Sequence, residues 1–269
     1  MARIDATARV ADGARIADGA EVGPFCVVGP DVELRDGVRL MSHVCVAGVT
    51  TISERTVAHP FASIGSAPQS TGYQGEPTKL TIGADCMIRE SVTICTGTVA
   101  GGGITRVGDR GFFMAYSHIA HDCQIGNDVT FANAVTLGGH VTVGDFTFMG
   151  GLSAVHQFVQ IGPYAMVGGM AGISDDIIPF GIAQGNFAKL RGLNVIGMRR
   201  RKFSAETIRT VRSAYRRLFY GDGDITQRVS ATEKEFGGEA AVMQILAFIR
   251  APRKRELCRP DVYSEADAE

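Results

Sequence analysis

The sequence has no tryptophan, no C-x-x-C pair among its six cysteines and no apolar run of the ~18 residues that a bilayer-spanning helix needs. Residues 1–10 carry Asp and Arg in place of the charged-then-apolar pattern of a secretory signal. We therefore expect a cytoplasmic protein without a membrane span. Because no cysteines are paired in spacing, we expect them to be reduced and mostly buried, which argues against a disulfide framework.

The net charge of −1 conceals an uneven distribution along the chain. Residues 1–188 carry 10 Lys or Arg against 17 Asp or Glu, whereas residues 189–259 carry 17 against 7. A basic C-terminal region favours an acidic partner, and nucleic acid, an acidic carrier protein and a nucleotide diphosphate all fit that charge.

A six-residue repeat of apolar residues dominates the first two thirds of the chain. Glycine, present 34 times, often follows the repeated position directly, as in Val22-Gly23 and Val143-Gly144. The repeat runs through Ile4, Val10, Ile16, Val22, Val28, Leu34, Leu40, Val46, Ile52, Ala58 and Ile64, then Ile82, Ile88 and Ile94, then Val107, Phe113, Ile119, Ile125, Phe131, Leu137, Val143, Met149, Val155, Ile161, Val167 and Ile173.

A period of six fits short strands joined by turns, with three hexads in each triangular coil and coils stacked at the ~4.8 Å strand spacing. We expect the repeated side chain to point inward and the small residue after it to permit the tight corner. Residues 4–178 then form roughly nine or ten coils of a parallel β-helix. The repeat lapses at 66–77 and 96–103, which we predict to be loops that wall a binding site.

Beyond the repeat, the apolar period becomes helical. We predict one helix beginning at the cap Ser204, a second over 226–236 and a third over 239–250, together a three-helix bundle. The chain therefore divides into a β-helical domain, residues 1–188, and a small α-helical C-terminal domain, residues 189–269.

Four of the six histidines fall in the second repeat block, at His118, His121, His140 and His156. On successive coils they can share one strip of the surface. Asp122 follows His121 and can hold one imidazole nitrogen, the usual arrangement for a general base. Gly139 can turn a backbone N–H toward a developing oxyanion.

Eight short runs complete the pattern: 75–78, 88–94, 97–99, 118–123, 139–140, 155–158, 182–186 and 199–201. As a set they resemble the UDP-N-acetylglucosamine O-acyltransferases that begin lipid A synthesis, within the hexapeptide-repeat acyltransferases. The resemblance covers residues 1 to about 220. It implies a left-handed parallel β-helix followed by a small α-helical domain.

The resemblance further implies transfer of a (3-hydroxy)acyl chain from acyl carrier protein to the 3-hydroxyl of UDP-N-acetylglucosamine, without cofactor or metal. His121 would be the general base, Asp122 would orient it, and Gly139 N–H would stabilise the oxyanion. Gly169 would leave room for a longer acyl chain, and Arg200 with Arg201 would hold the diphosphate. The full set implied to bind substrate is His118, His140, His156, Gln157, Gly169, Asn194, Arg200, Arg201, Gln69 and Tyr73.

As partners, the resemblance implies acyl carrier protein as donor, a UDP-sugar as acceptor and no nucleic acid. Its members are homotrimers with active sites between subunits, and a flat-sided prism suits that assembly. Four positions on the acceptor side depart from the family's usual residues: Ser70, Gly72, Cys95 and Ile196. They support, as an alternative, a paralogue that acylates a different UDP-sugar or a 3-amino sugar.

Two other classes of function are alternatives. His118 and His121 before Asp122-Cys123 also resemble a segment of the γ-carbonic anhydrases, so a metal-dependent hydratase would require a bound metal that we do not expect. A non-catalytic scaffold predicts that His121→Ala changes nothing measurable.

Overall fold

The computed structural model describes residues 1–261. Residues 262–269, the end of the predicted C-terminal domain, lie outside the described residues. The helices are α1 (Val195–Arg200), α2 (Ala205–Tyr220), α3 (Ile225–Phe236) and α4 (Ala240–Arg250), with a 3-10 turn at Val99–Gly101. The strands are β1 (Arg3–Ile4), β2 (Arg9–Val10), β3 (Arg15–Ile16), β4 (Glu21–Val22), β5 (Val27–Val28), β6 (Val32–Leu34), β7 (Arg39–Leu40), β8 (Cys45–Val46), β9 (Val49–Ile52), β10 (Val57–Ala58), β11 (Ser63–Ser66), β12 (Lys79–Ile82), β13 (Met87–Ile88), β14 (Thr93–Cys95), β15 (Ile104–Val107), β16 (Phe112–Phe113), β17 (His118–Ile119), β18 (Gln124–Ile125), β19 (Thr130–Phe131), β20 (Thr136–Leu137), β21 (Thr142–Val143), β22 (Phe148–Met149), β23 (Ala154–Val155), β24 (Gln160–Ile161), β25 (Met166–Val167), β26 (Gly172–Ile173), β27 (Gly181–Gln184) and β28 (Lys189–Leu193).

The strands fall in turn on three faces, and each pairs in parallel with the strand one coil further along. Face 1 runs from β1 to β27 and is extended by β28, which pairs antiparallel with β27. Face 2 runs from β2 to β26, and face 3 from β3 to β24. The fold is the predicted left-handed parallel β-helix followed by helices, with ten parallel strands stacked on face 1.

From Val22 onward the repeated apolar residues are buried in the interior as predicted, whereas Ile4 on the first coil is 48% exposed. The corners are made differently from the prediction. The left-handed backbone that turns each corner belongs to the third residue after the apolar one, as at His140 (φ 62°) and Phe146 (φ 60°). Gly144, directly after Val143, is not in that region; a Cβ there would lie 2.5 Å from Pro163 N on the next coil. The prediction that the small residue permits the corner was wrong, because such glycines permit the close approach of successive coils.

Three corners run along the prism, named here by the faces they join. Both interruptions of the repeat leave the β-helix at corner 2–3, one between β11 and β12 and the other between β14 and β15. The segment between β17 and β18, which holds His121 and Asp122, turns the same corner. The two loops therefore leave the same corner on the two coils that precede the coil of the predicted base.

The predicted helices are confirmed within one or two residues, and Ser204 caps α2 by accepting the Thr207 N–H at 3.0 Å. After α4, residues 251–261 form a strap that returns to the β-helix, where Cys258 N–H donates to Asp176 O at 2.8 Å. The predicted boundary between the two domains, after residue 188, stays a prediction. The first element beyond it, β28, pairs with β27 and extends face 1 of the β-helix. Within residues 1–261, no helix has the length and apolarity that crossing a membrane requires.

The cysteines are free thiols, as predicted. Five of the six are buried, and Cys45 on face 2 is exposed. Burial raises the pKa of the Cys86 thiol to about 11. The buried cysteines therefore act as small apolar residues of the coils.

Asp176, buried under the strap and only 1% exposed, leads to a prediction about stability. It accepts the Gln160 N–H at 2.7 Å, yet burial raises its pKa from 3.8 to about 6. The folded state therefore binds this proton more tightly, and stability is lost as pH rises from about 4 through 6. We expect Asp176→Asn to stabilise the fold by on the order of 2 kcal/mol at pH 8. Thermal unfolding at pH 4 and pH 8 checks this, and an equal difference at both would contradict it.

Candidate active site

A histidine–aspartate pair lies on corner 2–3. His121 Nδ1 is 2.8 Å from Asp122 Oδ2; the Asp122 side chain is fully buried and that of His121 is 14% exposed. Asp122 is itself the left-handed corner residue, with φ 62°, a conformation that aspartate tolerates better than most. Because an ionised carboxylate only accepts hydrogen bonds, His121 carries its proton on Nδ1 and keeps a lone pair on Nε2. This is the tautomer that a general base needs.

The loop between β14 and β15 fixes the orientation of that carboxylate. Thr98 donates twice to Asp122, from its N–H to Oδ1 at 2.8 Å and from its hydroxyl to Oδ2 at 2.6 Å. The Asp122 N–H in turn donates to Thr105 Oγ1 at 2.8 Å. A Cβ on Gly101 would lie 2.0 Å from Asp122 Cγ, so only glycine lets the loop approach this closely. No role was assigned to Thr98, Gly101 or Thr105 from the sequence, although the run 97–99 was among the motifs.

Gly139 lies one coil below His121, 18 residues further along the chain. A Cβ at this position would be 2.4 Å from His121 Cε1 and 2.7 Å from Nε2, so the glycine backbone lies against the basic edge of the ring. Within residues 1–261 its N–H donates no backbone hydrogen bond, unlike that of neighbouring Gly138, which donates to Val155 O at 2.8 Å. The Gly139 N–H is therefore available to donate a hydrogen bond to an oxygen that becomes negatively charged beside the base.

Two further histidines flank the pair. The His140 ring is perpendicular to that of His121, with centroids 5.1 Å apart, and stacks on Phe158 at 4.4 Å. Burial lowers the pKa of His140, with smaller contributions from Asp122, which opposes the shift, and from His121. His118 Nδ1 is 2.7 Å from Thr93 Oγ1, and burial likewise lowers its pKa. Both rings are therefore neutral at pH 7 and can exchange hydrogen bonds with an uncharged substrate.

On the next coil, His156 and Gln157 are exposed at the same corner and touch the C-terminal strap. Arg255 of the strap donates to the Gln157 carbonyl at 2.9 Å and contacts His156 Nδ1. Lys254 Nζ lies 4.2 Å from the centroid of the Phe158 ring. Sequence reasoning missed both strap residues, which have no regular spacing to the histidines.

Asn194, Arg200 and Arg201 lie elsewhere, at corner 3–1. They line a cavity of about 480 Å³ together with Phe146 and Ile196, which is 64% exposed. The Arg201 guanidinium lies 4.4 Å over the Phe146 ring. Two arginines beside an open cavity can hold an anionic ligand.

Asn194 itself is engaged by the fold. It caps α1, where its Oδ1 accepts the Gly197 N–H at 2.9 Å, and its Nδ2 donates to Tyr164 O at 2.9 Å. The side chain therefore shapes the cavity by positioning α1.

The remaining predicted residues are more scattered. Gly169 is exposed on corner 1–2, and a Cβ there would lie 3.3 Å from Gly151 O on the neighbouring coil. Gln69 is exposed in the first loop, and Tyr73 donates its hydroxyl to Glu76 O at 2.9 Å within that loop. One chain thus brings together the residues of corner 2–3, while Gly169 and the arginines lie on the other two corners.

The cluster on corner 2–3 has a second chemical capacity. Ligand atoms of His121, Asp122 and His140 lie within 4.8 Å of one another, close enough to surround a metal ion. However, both Asp122 oxygens already accept hydrogen bonds from Thr98, and one of them also contacts His121 Nδ1. The carboxylate is oriented for the imidazole.

Comparisons with known proteins show which family the chain is similar to. The family model described as UDP-N-acetylglucosamine O-acyltransferase, domain 2, matches residues 176–258. The acyl-(acyl-carrier-protein)–UDP-N-acetylglucosamine O-acyltransferase of Azorhizobium caulinodans is 54% identical over 260 residues, 97% of this chain and 96% of the relative. That of Rhizobium etli is 47% identical over 259 residues, 96% of this chain and 95% of the relative. The solved structure of LpxA from Acinetobacter baumannii matches with a TM-score of 0.92 at 37% identity, over 95% of this chain and 99% of that one.

Proposed function

We propose how this site works from one premise: the chain belongs to the UDP-N-acetylglucosamine O-acyltransferase family. The protein is an acyltransferase that moves an acyl chain from acyl carrier protein to UDP-N-acetylglucosamine, the first step of lipid A synthesis. We assign the sugar 3-hydroxyl as the nucleophile and a (3-hydroxy)acyl thioester as the donor. The observation that carries the mechanism is the hydrogen bond of 2.8 Å between His121 Nδ1 and the buried Asp122.

The base step follows from the tautomer of His121. With Nδ1–H held by Asp122, Nε2 takes the proton of the sugar hydroxyl as that oxygen attacks the thioester carbonyl. Asp122 stabilises the imidazolium that forms, because its carboxylate is already aligned by the two donors of Thr98. Attack without a base would leave the proton on a strongly acidic oxygen.

The tetrahedral intermediate carries its negative charge on the former carbonyl oxygen. We assign the Gly139 N–H as the donor to this oxygen, because the Gly139 backbone lies against the His121 ring. Collapse of the intermediate breaks the C–S bond, and the imidazolium returns its proton to the departing thiolate. The products are the 3-O-acyl sugar nucleotide and the free thiol of the carrier protein.

We further propose a homotrimer, because the base and the arginines occupy different corners of one chain. A ring in which each chain sets corner 2–3 against the neighbour's corner 3–1 joins His121 to Arg200 and Arg201 of the next subunit. The arginines hold the diphosphate while the sugar reaches the base. Residues 189–259, with 17 basic residues against 7 acidic, provide the docking charge for the acidic carrier protein.

Purified protein, UDP-N-acetylglucosamine and a panel of 3-hydroxyacyl and plain acyl carrier proteins test the proposal, with products followed by mass spectrometry. A 3-O-acyl product that is absent with His121→Ala supports it. Formation of product only from another UDP-sugar or a 3-amino sugar would instead favour the changed acceptor that Ser70, Gly72, Cys95 and Ile196 allow. Stoichiometric metal in the same preparation, together with a hydratase activity that chelation removes, would favour the metal-dependent hydratase.

Subunit mixing gives a sharper prediction about the trimer. We expect His121→Ala and the double variant Arg200→Ala/Arg201→Ala to be inactive alone but to regain activity when co-assembled. With random assembly, about one quarter of composite sites combine an intact base with intact arginines. Activity of the co-expressed, purified mixture relative to wild type measures this fraction.

Two outcomes of the mixing experiment exclude each other. Recovery near a quarter requires sites shared between chains, because no single chain in the mixture carries an intact set. No recovery in hybrids verified by mass spectrometry would mean that each site is built within one chain. Co-assembly of His121→Ala with itself is the matched control.

A further inference from the structure

The strap, residues 251–261, reaches the active-site corner. The strap is anchored by hydrogen bonds to the β-helix: Asp176 N–H donates to Glu256 O at 2.7 Å, and Gln160 Nε2 donates to Pro252 O at 3.1 Å. Between these anchors, the half-buried Arg255 extends to His156 and Gln157. The strap that follows α4 is thus in direct contact with the histidine strip.

Two acceptors face each other at this contact. His156 Nδ1 lies 3.3 Å from the carbonyl oxygen of its own neighbour, Gln157. Left alone, the imidazole would satisfy both atoms by carrying its proton on Nδ1 and donating it to the carbonyl. Arg255 instead donates from Nε to the carbonyl at 2.9 Å and from its terminal nitrogen to Nδ1. Since a guanidinium can only donate, Nδ1 must be an acceptor and the ring proton lies on Nε2.

We propose that Arg255 is a positioning residue for the acyl transfer and sets the tautomer of His156, presenting its Nε2–H as a hydrogen-bond donor to substrate. This inference rests on the proposed function. A neutral imidazole with Nε2–H donates to a hydroxyl, carbonyl or phosphate oxygen, whereas the opposite tautomer offers only a lone pair. The planar fork of arginine spans both acceptors, which the single nitrogen of a lysine does not.

The neighbouring contact supports the same role for the strap. Lys254 lies over Phe158, which stacks on His140. Adjacent strap residues therefore touch two successive members of the histidine strip, His140 through Phe158 and His156 directly. Loss of the Arg255 guanidinium leaves the contact of Lys254 with Phe158 and the hydrogen bonds that anchor the strap in place. A substitution at Arg255 therefore tests its effect on the tautomer of His156 alone.

The tautomer is measured first, without any assay of activity. Long-range nitrogen–proton NMR of protein labelled only at histidine resolves which ring nitrogen bears the proton, and His156→Ala identifies the signal among the six histidines. We expect His156 to be the Nε2–H tautomer in wild type and Nδ1–H in Arg255→Met. Arg259→Met, which removes the same charge from an exposed position on the same strap, should leave it unchanged.

Kinetics then test the consequence. We expect Arg255→Met to lower kcat/KM by about tenfold, with Arg255→Lys partly restoring it and with melting temperature close to that of Arg259→Met. In the His156→Ala background, Arg255→Met should cause no further loss, because it acts through that ring.

The inference is overturned if the His156 tautomer is the same in wild type and Arg255→Met, or if the two losses multiply in the double variant. If wild-type protein transfers no acyl group, the proposed function fails. The NMR result then decides by itself whether Arg255 sets the tautomer. If Arg255→Met does not fold, Arg255→Ala, which also removes the donor, serves both measurements.

Discussion

Replacement of His121 by alanine is expected to lower kcat for acyl transfer by about 10²–10⁴-fold while leaving the fold intact. Nε2 of this ring is the base adjacent to Gly139, and no other imidazole in the described chain is bonded to a buried carboxylate at 2.8 Å. The side chain lies at a corner outside the stacked interior, so its loss removes little packing. Steady-state rates with acyl carrier protein and UDP-N-acetylglucosamine, together with thermal unfolding, measure the two effects separately.

His43→Ala is the matched control for this experiment. His43 also lies at a corner, corner 1–2, with its ring tilted between those of Phe25 and Phe61 at centroid distances of 5.0 and 5.1 Å. We expect it to change stability more than activity. A His121→Ala enzyme with more than a tenth of wild-type kcat would contradict the assignment of the base.

The coil architecture was predictable from the sequence because a solenoid repeats one local environment. Each coil contacts only its neighbours, so the same apolar position recurs, as at Ile94, Ile119 and Leu137 on face 2. The period therefore predicts both the strands and the burial. It does not reveal why glycine often follows the apolar residue, since that reason lies in the neighbouring coil.

Register also explains which site residues could be grouped in advance. Gly139 follows His121 by 18 residues, one full coil, so contact between them was predictable from numbering alone. Gly169 follows His121 by 48 residues, two coils and two hexads, which places it on another corner. The motifs themselves do not show on which corner each residue lies. The separation of the predicted site residues over three corners follows only from the number of hexads between them.

The contacts that orient the catalytic groups could not be predicted. Thr98 reaches Asp122 across 24 residues through a loop that breaks the period, and Arg255 reaches His156 across 99. Neither contact has a spacing that any repeat imposes. Both depend on how an irregular segment closes on a regular one, which is set by tertiary packing.

The second large effect is expected from Asp122→Asn, with kcat reduced on the order of 10³–10⁴-fold. The same exchange in Ser-His-Asp triads lowers kcat by about 10⁴ through the wrong tautomer of histidine. Here the Thr98 N–H is a fixed donor at the position of Asp122 Oδ1, so the amide oxygen of asparagine must lie there. The amide nitrogen then takes the place of Oδ2, 2.8 Å from His121 Nδ1. It donates to that nitrogen, the ring proton moves to Nε2, and the base is lost.

Asp5→Asn controls for the loss of a carboxylate. Asp5 accepts the Thr7 N–H at 2.9 Å and lies on corner 1–2 of the first coil, far along the β-helix from His121. Its replacement should leave kcat unchanged. Equal losses of kcat in both variants would mean that the coil, and not the tautomer, had been disturbed.

Asp122→Asn differs from a simple loss of charge because it also changes the tautomer of His121. Asp122→Ala removes the acceptor without placing an amide donor against Nδ1, so His121 can still present a lone pair on Nε2 in a fraction of molecules. Asparagine, with the same volume and a donor aimed at Nδ1, stabilises the inactive form. We therefore expect Asp122→Asn to be slower than Asp122→Ala, measured as kcat for the same donor and acceptor. The reverse order would mean that Asp122 acts mainly through its charge on the imidazolium, and the Thr98 clamp would then matter only for stability.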